Sequence, residues 1–171
     1  MKKKNYINNK QLFDEMVIYR QQLLEARAKG EPNPIPSKYI GLAIWEIARR
    51  LSTKSNFSGY SYREDMVCDG IEVCLKYALN SFDPEKTQNP FAYFTTSIYN
   101  AFVKRINEES NQQYLKYKNY QLMNMEGEPG NWLQLNDISQ EFIKNFEEKK
   151  LRKKKGENTA NTLVTFIEPE V

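Results

Sequence analysis

Between Tyr62 and Asn80, apolar or small residues recur in pairs every four positions: Met66 and Val67, Gly70 and Ile71, Cys74 and Leu75, Ala78 and Leu79. That repeat follows the turn of an α-helix and gives a broad apolar face, which is stable only when other elements cover it. Phe82-Asp83-Pro84 ends the stretch, because proline disfavours helical backbone in the residue before it. The flanking sequence supplies cover with the same period. Asn9 to Lys29 reads as a helix through Leu12, Phe13, Met16, Val17, Leu23 and Leu24, with Gly30 as its stop. Pro32, Pro34 and Pro36 then make a stiff linker that cannot be helical. Ser37 is placed to cap a helix from Lys38 to Leu51, whose Ile40, Ile44, Ile47, Ala48 and Leu51 form a buried stripe. Ser52 to Tyr62 reads as loop. Another helix begins near Pro90, a residue suited to a first helical turn, and runs at least to Asn107 or as far as Met125. Gly127 to Gly130 breaks the chain, and Asp137 to Lys155 reads as a highly charged helix. No alternating stretch is long enough to demand a sheet, so the expected fold class is all-α.

These boundaries divide the chain into residues 1–36 (helix and proline-rich linker), 37–125 (a compact helical domain), 126–155 (a charged helix) and 156–171 (a flexible linker and tail). With 171 residues there is enough chain to bury a core. A net charge of +3 is too small for a wholesale nucleic-acid binder, so any DNA contact must come from local clustering. No apolar run is long enough for a membrane span. The basic start Met1-Lys2-Lys3-Lys4 leads into polar residues and not into an apolar signal core, which reads as cytoplasmic. The absence of histidine excludes Ser-His-Asp and Cys-His catalysis. Cys68 and Cys74 sit about 240° apart around one helix, so they cannot pair, and both read as small core residues. Two sulfurs without imidazole make a poor metal site. No metal, cofactor or catalytic residue is expected, and the chain reads as a non-enzyme.

Two helix faces carry chemistry. Asp65, Asp69, Glu72 and Lys76 follow spacings of four, three and four and share one side, away from the apolar pairs. By charge alone this is either a solvated face or an acidic docking surface for a basic partner. On the later helix, Tyr93, Ser97, Asn100 and Lys104 follow the same spacings beside a largely apolar row of Phe94, Ile98, Ala101 and Arg105. A ring, two hydrogen-bonding groups and a cation in line suit DNA whose strands are separating: the ring stacks on an unpaired base, asparagine reads a base edge and the cation neutralises phosphate. Ordinary helix packing is the alternative for the aromatic rings.

The order Asp65-Met66-Val67-Cys68-Asp69-Gly70, then Ser81-Phe82-Asp83-Pro84, then Phe91-Ala92-Tyr93-Phe94 and Ile98 to Arg105 resembles region 2 of bacterial sigma factors. The resemblance covers roughly Pro36 to Arg105. The short chain and its ending are more similar to the late-transcription sigma factors of tailed bacteriophages. It implies a compact helical domain like sigma region 2, in which Asp65, Asp69, Glu72 and Lys76 dock on the clamp helices of the largest subunit of bacterial core RNA polymerase. It implies that Tyr93, Phe94, Ser97, Tyr99, Asn100, Lys104 and Arg105 contact promoter DNA, the aromatics holding a base flipped from a −10-like element. It further implies that Leu163, Phe166, Ile167 and Glu168 bind the DNA polymerase sliding clamp, that a small late-transcription coactivator is a partner, and that the protein acts in the infected bacterial cell. One departure stands out. Housekeeping sigma factors carry adjacent tryptophans before the isoleucine matching Ile98, and this chain has Thr96 and Ser97 there. Too little chain follows Arg105 for a separate −35-reading helix-turn-helix domain. The rival class is a non-sigma helical adaptor or a regulator that binds duplex DNA directly.

Overall fold

A computed structural model of the chain describes residues 6–124 and 137–152. Among these residues every regular element is helical and there is no strand, so the fold is all-α. Helix α1 (Asn9–Lys29) opens at Asn8, whose side-chain oxygen accepts from the N–H groups of Lys10 and Gln11 at 3.1 and 3.3 Å. It closes at Gly30, where a φ of +71° turns the chain and the N–H groups of Gly30 and Glu31 satisfy the carbonyls of Arg27 and Ala26. Helix α2 (Lys38–Ser52) is capped by Ser37, whose Oγ accepts from the Ile40 N–H at 3.4 Å. Helix α3 (Arg63–Val73) runs through a π-helical turn (Cys74–Ala78) into a final turn, α4 (Leu79–Ser81). Helix α5 (Pro90–Asn124) starts with proline in its first position and Asn89 capping the Ala92 N–H at 3.1 Å. Residues 137–152 form α6.

The chain divides into two compact units, between Asn107 and Glu108. In the first unit, α1, α2, α3 and the first half of α5 converge on one core. Leu12, Met16, Leu23, Ile40, Ile44, Ile47, Met66, Leu79, Phe82, Phe94, Ile98 and Phe102 have essentially no exposed surface. α1 is thus part of this domain's core. α3 and α5 approach closely because residue 70 is glycine: a Cβ there would lie 2.9 Å from Ile98 Cγ2 and 3.0 Å from Phe102 Cε1. From the loop after α2, Phe57 inserts edge-on against Phe102 and Tyr99, with ring centroids 5.1 and 5.5 Å away.

The π turn departs from the single α-helix that the paired apolar pattern predicts. Its widened backbone has two extra donors. The Tyr93 hydroxyl donates to the Ala78 carbonyl at 3.2 Å, and the Asn80 amide donates to the Lys76 carbonyl at 2.8 Å. Leu75, on the edge of the apolar stripe where the turn begins, is 41% exposed and does not join the core. Cys68 is exposed too, because it lies one helical turn from both Asp65 and Glu72 on the polar side; Cys74 is buried as expected.

The second unit pairs the end of α5 with α6. Tyr114 stacks on Phe146 at 4.6 Å, and Tyr117 meets Phe142 edge-on at 5.3 Å. Glu147 accepts from the Tyr114 hydroxyl at 2.9 Å and pairs with Lys118 at 3.0 Å. Those two hydrogen bonds, Lys118 first, hold the Glu147 carboxyl below its usual range. The charge count of α6 conceals this aromatic seam. Among the described residues no helix is long and apolar enough to cross a membrane.

Candidate functional site

The polar side of α3 carries the four residues picked out by spacing, but not as four free charges. Asp65, Glu72 and Lys76 are exposed, whereas Asp69 is half-buried. Glu72 and Lys76, one turn apart, form an ion pair. The hydrogen bond from Lys76 lowers the Glu72 carboxyl below its ordinary range, with a smaller pull from Lys104 on α5, and raises the Lys76 ammonium in return.

A direct bond joins the same two helices. Arg105 Nε lies 2.8 Å from Asp69 Oδ2, and Nη2 donates to Oδ1 at 3.4 Å, with side chains 27% and 32% exposed. The family resemblance places Asp69 on one surface and Arg105 on another; the structure binds them together. No local signal marks this pair, because the partners are 36 residues apart on different helices.

On α5 the expected row divides. Phe94 has no exposed surface, so its assignment to DNA is corrected: it is a core residue, stacked near Phe82. Tyr93 packs beside it. It is half-buried and edge-on to Phe82 and Phe94 at 5.4 and 5.7 Å, with its hydroxyl committed to Ala78. Burial pushes its phenol pKa up. Ser97 is half-buried and donates to the Tyr93 carbonyl at 3.1 Å, so it serves its own helix. Tyr99, Asn100 and Lys104 remain at the surface. Tyr99 is 44% exposed with its ring braced by Phe57, which leaves part of an aromatic ring available. Thr96, one turn before Asn100, shares that exposed row, its hydroxyl bonded to the Ala92 carbonyl at 3.0 Å. Periodicity alone does not separate Thr96 from Ser97, since the apolar neighbours of both are shared.

The candidate site is therefore an acidic strip of Asp65, Asp69 and Glu72 on α3 beside the exposed Asn100 and Lys104 on α5, with Tyr99 on a different side of that helix. The Asp69–Arg105 pair lies between the two helices. Leu163, Phe166, Ile167 and Glu168, expected to bind a sliding clamp, lie outside the described residues, as do the lysines at 153–155. No protein-family model matches this chain, and no curated protein matches its sequence.

Proposed function

We propose that this protein is a sigma factor for phage late-gene transcription, which binds bacterial core RNA polymerase and recognises and helps open a −10-like promoter element. The observation that carries the reading is that the acidic face of α3 lies next to the cationic end of the first half of α5, joined by the Asp69–Arg105 pair and the close contact at Gly70, with Asn100 and Lys104 exposed on α5. Docking and promoter contact on one small domain require such adjoining faces. In this reading Asp65, Asp69 and Glu72 engage the clamp helices of the largest polymerase subunit. Tyr99 stacks on an unpaired base, Asn100 reads a base edge and Lys104 meets phosphate. Tyr93 and Phe94 act indirectly, by fixing the α5 backbone on which those residues stand. The tail around Phe166 and Ile167 tethers the complex to the sliding clamp, and a late-transcription coactivator completes the assembly.

The test is charge reversal on residues that support no core contact. Asp65→Lys with Glu72→Lys should weaken core polymerase binding by at least about tenfold, because like charges brought together at an interface cost several kcal/mol. The helical circular dichroism spectrum should be unchanged, since both side chains are exposed. Core affinity equal to that of the natural chain would remove this face from the docking surface.

A further inference from the structure

Met66, Gly70, Cys74 and Ala78 follow one another every four residues, and all are buried. In an α-helix of 3.6 residues per turn each step of four overshoots by about 40°, so an unbroken helix would swing this row away from the core. The π turn takes up the excess. The Leu79 N–H reaches back five residues to the Cys74 carbonyl, so the turn holds more chain than an α turn. The helix end beyond it is pinned from two sides. The carbonyls of Ala78 and Asn80 are among the last four of the helix, which lack an intrahelical donor. The Tyr93 hydroxyl of α5 donates to the first at 3.2 Å, and Arg20 Nη1 of α1 donates to the second at 3.3 Å. Lys76 stands on the π turn, exposed and ion-paired with Glu72 in the last turn of α3. The pair thus straddles the junction between α and π backbone, and the place of Lys76 decides where the Glu72 carboxylate is held.

We infer that Tyr93 is a positioning residue for the docking face: its hydroxyl pins the helix end, the pinned end keeps the π turn, and the turn sets Lys76 so that it holds Glu72 beside Asp65 and Asp69. The inference rests on the sigma-factor reading for the identity of what docks there, but the link from Tyr93 to Glu72 is a property of the chain itself. The role belongs to the hydroxyl and is separate from any that the ring has toward DNA. Without that donor the extra residue of the turn can pass to the helix end at Ser81, which leaves plain α-helix and turns the residues after Val73 relative to those before it. One neutral hydrogen bond sets the scale, so its loss shifts the balance between the two turns by roughly 2- to 10-fold. Asp65 and Asp69 lie before the turn and keep their places; the Lys76–Glu72 arm is what moves.

Tyr93→Phe keeps the ring and removes only the donor. An NMR titration of the Glu72 carboxyl reads the arm within the folded protein, so a change in overall stability does not move it. In the natural chain the Lys76 hydrogen bond holds that carboxyl below its ordinary range, with a smaller pull from Lys104. In Tyr93→Phe the carboxyl should move back up toward that range, and core polymerase affinity should fall by roughly 2- to 10-fold. In a Lys76→Met background Tyr93→Phe should change neither quantity, because the arm it positions is gone. A Glu72 titration identical in Tyr93→Phe and the natural chain would overturn the inference, as would an equal loss of affinity with and without Lys76. Should Tyr93→Phe fail to fold, Arg20→Met removes the other pin and must move the Glu72 titration the same way; no movement there would equally overturn it. If the natural chain does not bind core polymerase at all, the sigma-factor reading fails, while the Glu72 titration still decides whether the Tyr93 hydroxyl positions the arm.

Discussion

Two helical glycines offer opposed outcomes from one substitution. Gly70→Ala adds a methyl 2.9 Å from Ile98 Cγ2 and 3.0 Å from Phe102 Cε1. Ordinary carbon contacts sit near 3.5–4.0 Å, so one side must yield by about 0.5 Å or more. Neither neighbour can do so easily. Ile98 and Phe102 are both fully buried, and the nearest atom is a methyl on a branched Cβ, close to its own backbone. Overpacking of this kind costs typically about 1–3 kcal/mol. Replacing glycine inside a helix returns about 0.8–1.0 kcal/mol, leaving a net loss of about 0–2 kcal/mol. Gly41 is the internal control. It lies within α2, and a Cβ there meets nothing within 4 Å. Gly41→Ala should gain about 0.5–1 kcal/mol. Urea titration of the two variants should move the midpoints in opposite directions at similar slope. A Gly70→Ala protein as stable as Gly41→Ala would refute the close packing of α3 on α5, and with it the adjacency of the acidic strip to Asn100 and Lys104.

Three further outcomes follow from particular side chains. In the native protein a thiol reagent should modify Cys68 and leave Cys74 until unfolding, because burial holds the Cys74 thiol up to about 12. The sign for stability is set by that upward shift: Cys74 favours the folded state fully below its ordinary value of 9.0, and its contribution is lost as pH rises from there through about 12. Phe94→Ala should destabilise by about 3–5 kcal/mol in thermal or urea unfolding, whereas exposed Asn100→Ala should stay within about 0.5 kcal/mol of neutral and alter only base preference. Truncation after Asn161 should leave basal initiation intact and abolish stimulation by a sliding clamp, a tether able to raise apparent affinity by about 10²–10⁴-fold; a full clamp response in the truncated protein would exclude the tail as the link.

The parts of the fold written in local chemistry were legible. Gly30 supplies a positive φ, Ser37 supplies a cap and Pro90 fits a first turn, so the end of α1, the start of α2 and the start of α5 follow from neighbours in sequence. The π turn was not legible, because pairs repeating every four residues suit an unbroken α-helix equally well, and the donors to its carbonyls come from Tyr93 and Asn80. The aromatic seam of Tyr114, Tyr117, Phe142 and Phe146 was hidden by the charges around it. In the candidate site, periodicity separated the polar side of α3 from its apolar side. It also set Phe94 in the apolar row of α5 and Tyr93 in the polar one, but could not show that Tyr93 leans on the same core, which depended on Phe82 and Ala78 from another segment. Nor could it reveal that Asp69 and Arg105 meet, which only the tertiary fold decides.

As a sigma factor, the role proposed for it, this chain would give core RNA polymerase the ability to start at a −10-like element. The direct measurement is transcription by purified bacterial core polymerase, with and without this protein, on a duplex pool randomised upstream of a fixed start. Transcripts should appear only with the protein, from templates sharing one short element about a helical turn upstream and nothing in common near −35. Transcription equal with and without the protein, together with failure of the chain to co-migrate with core polymerase, would contradict it.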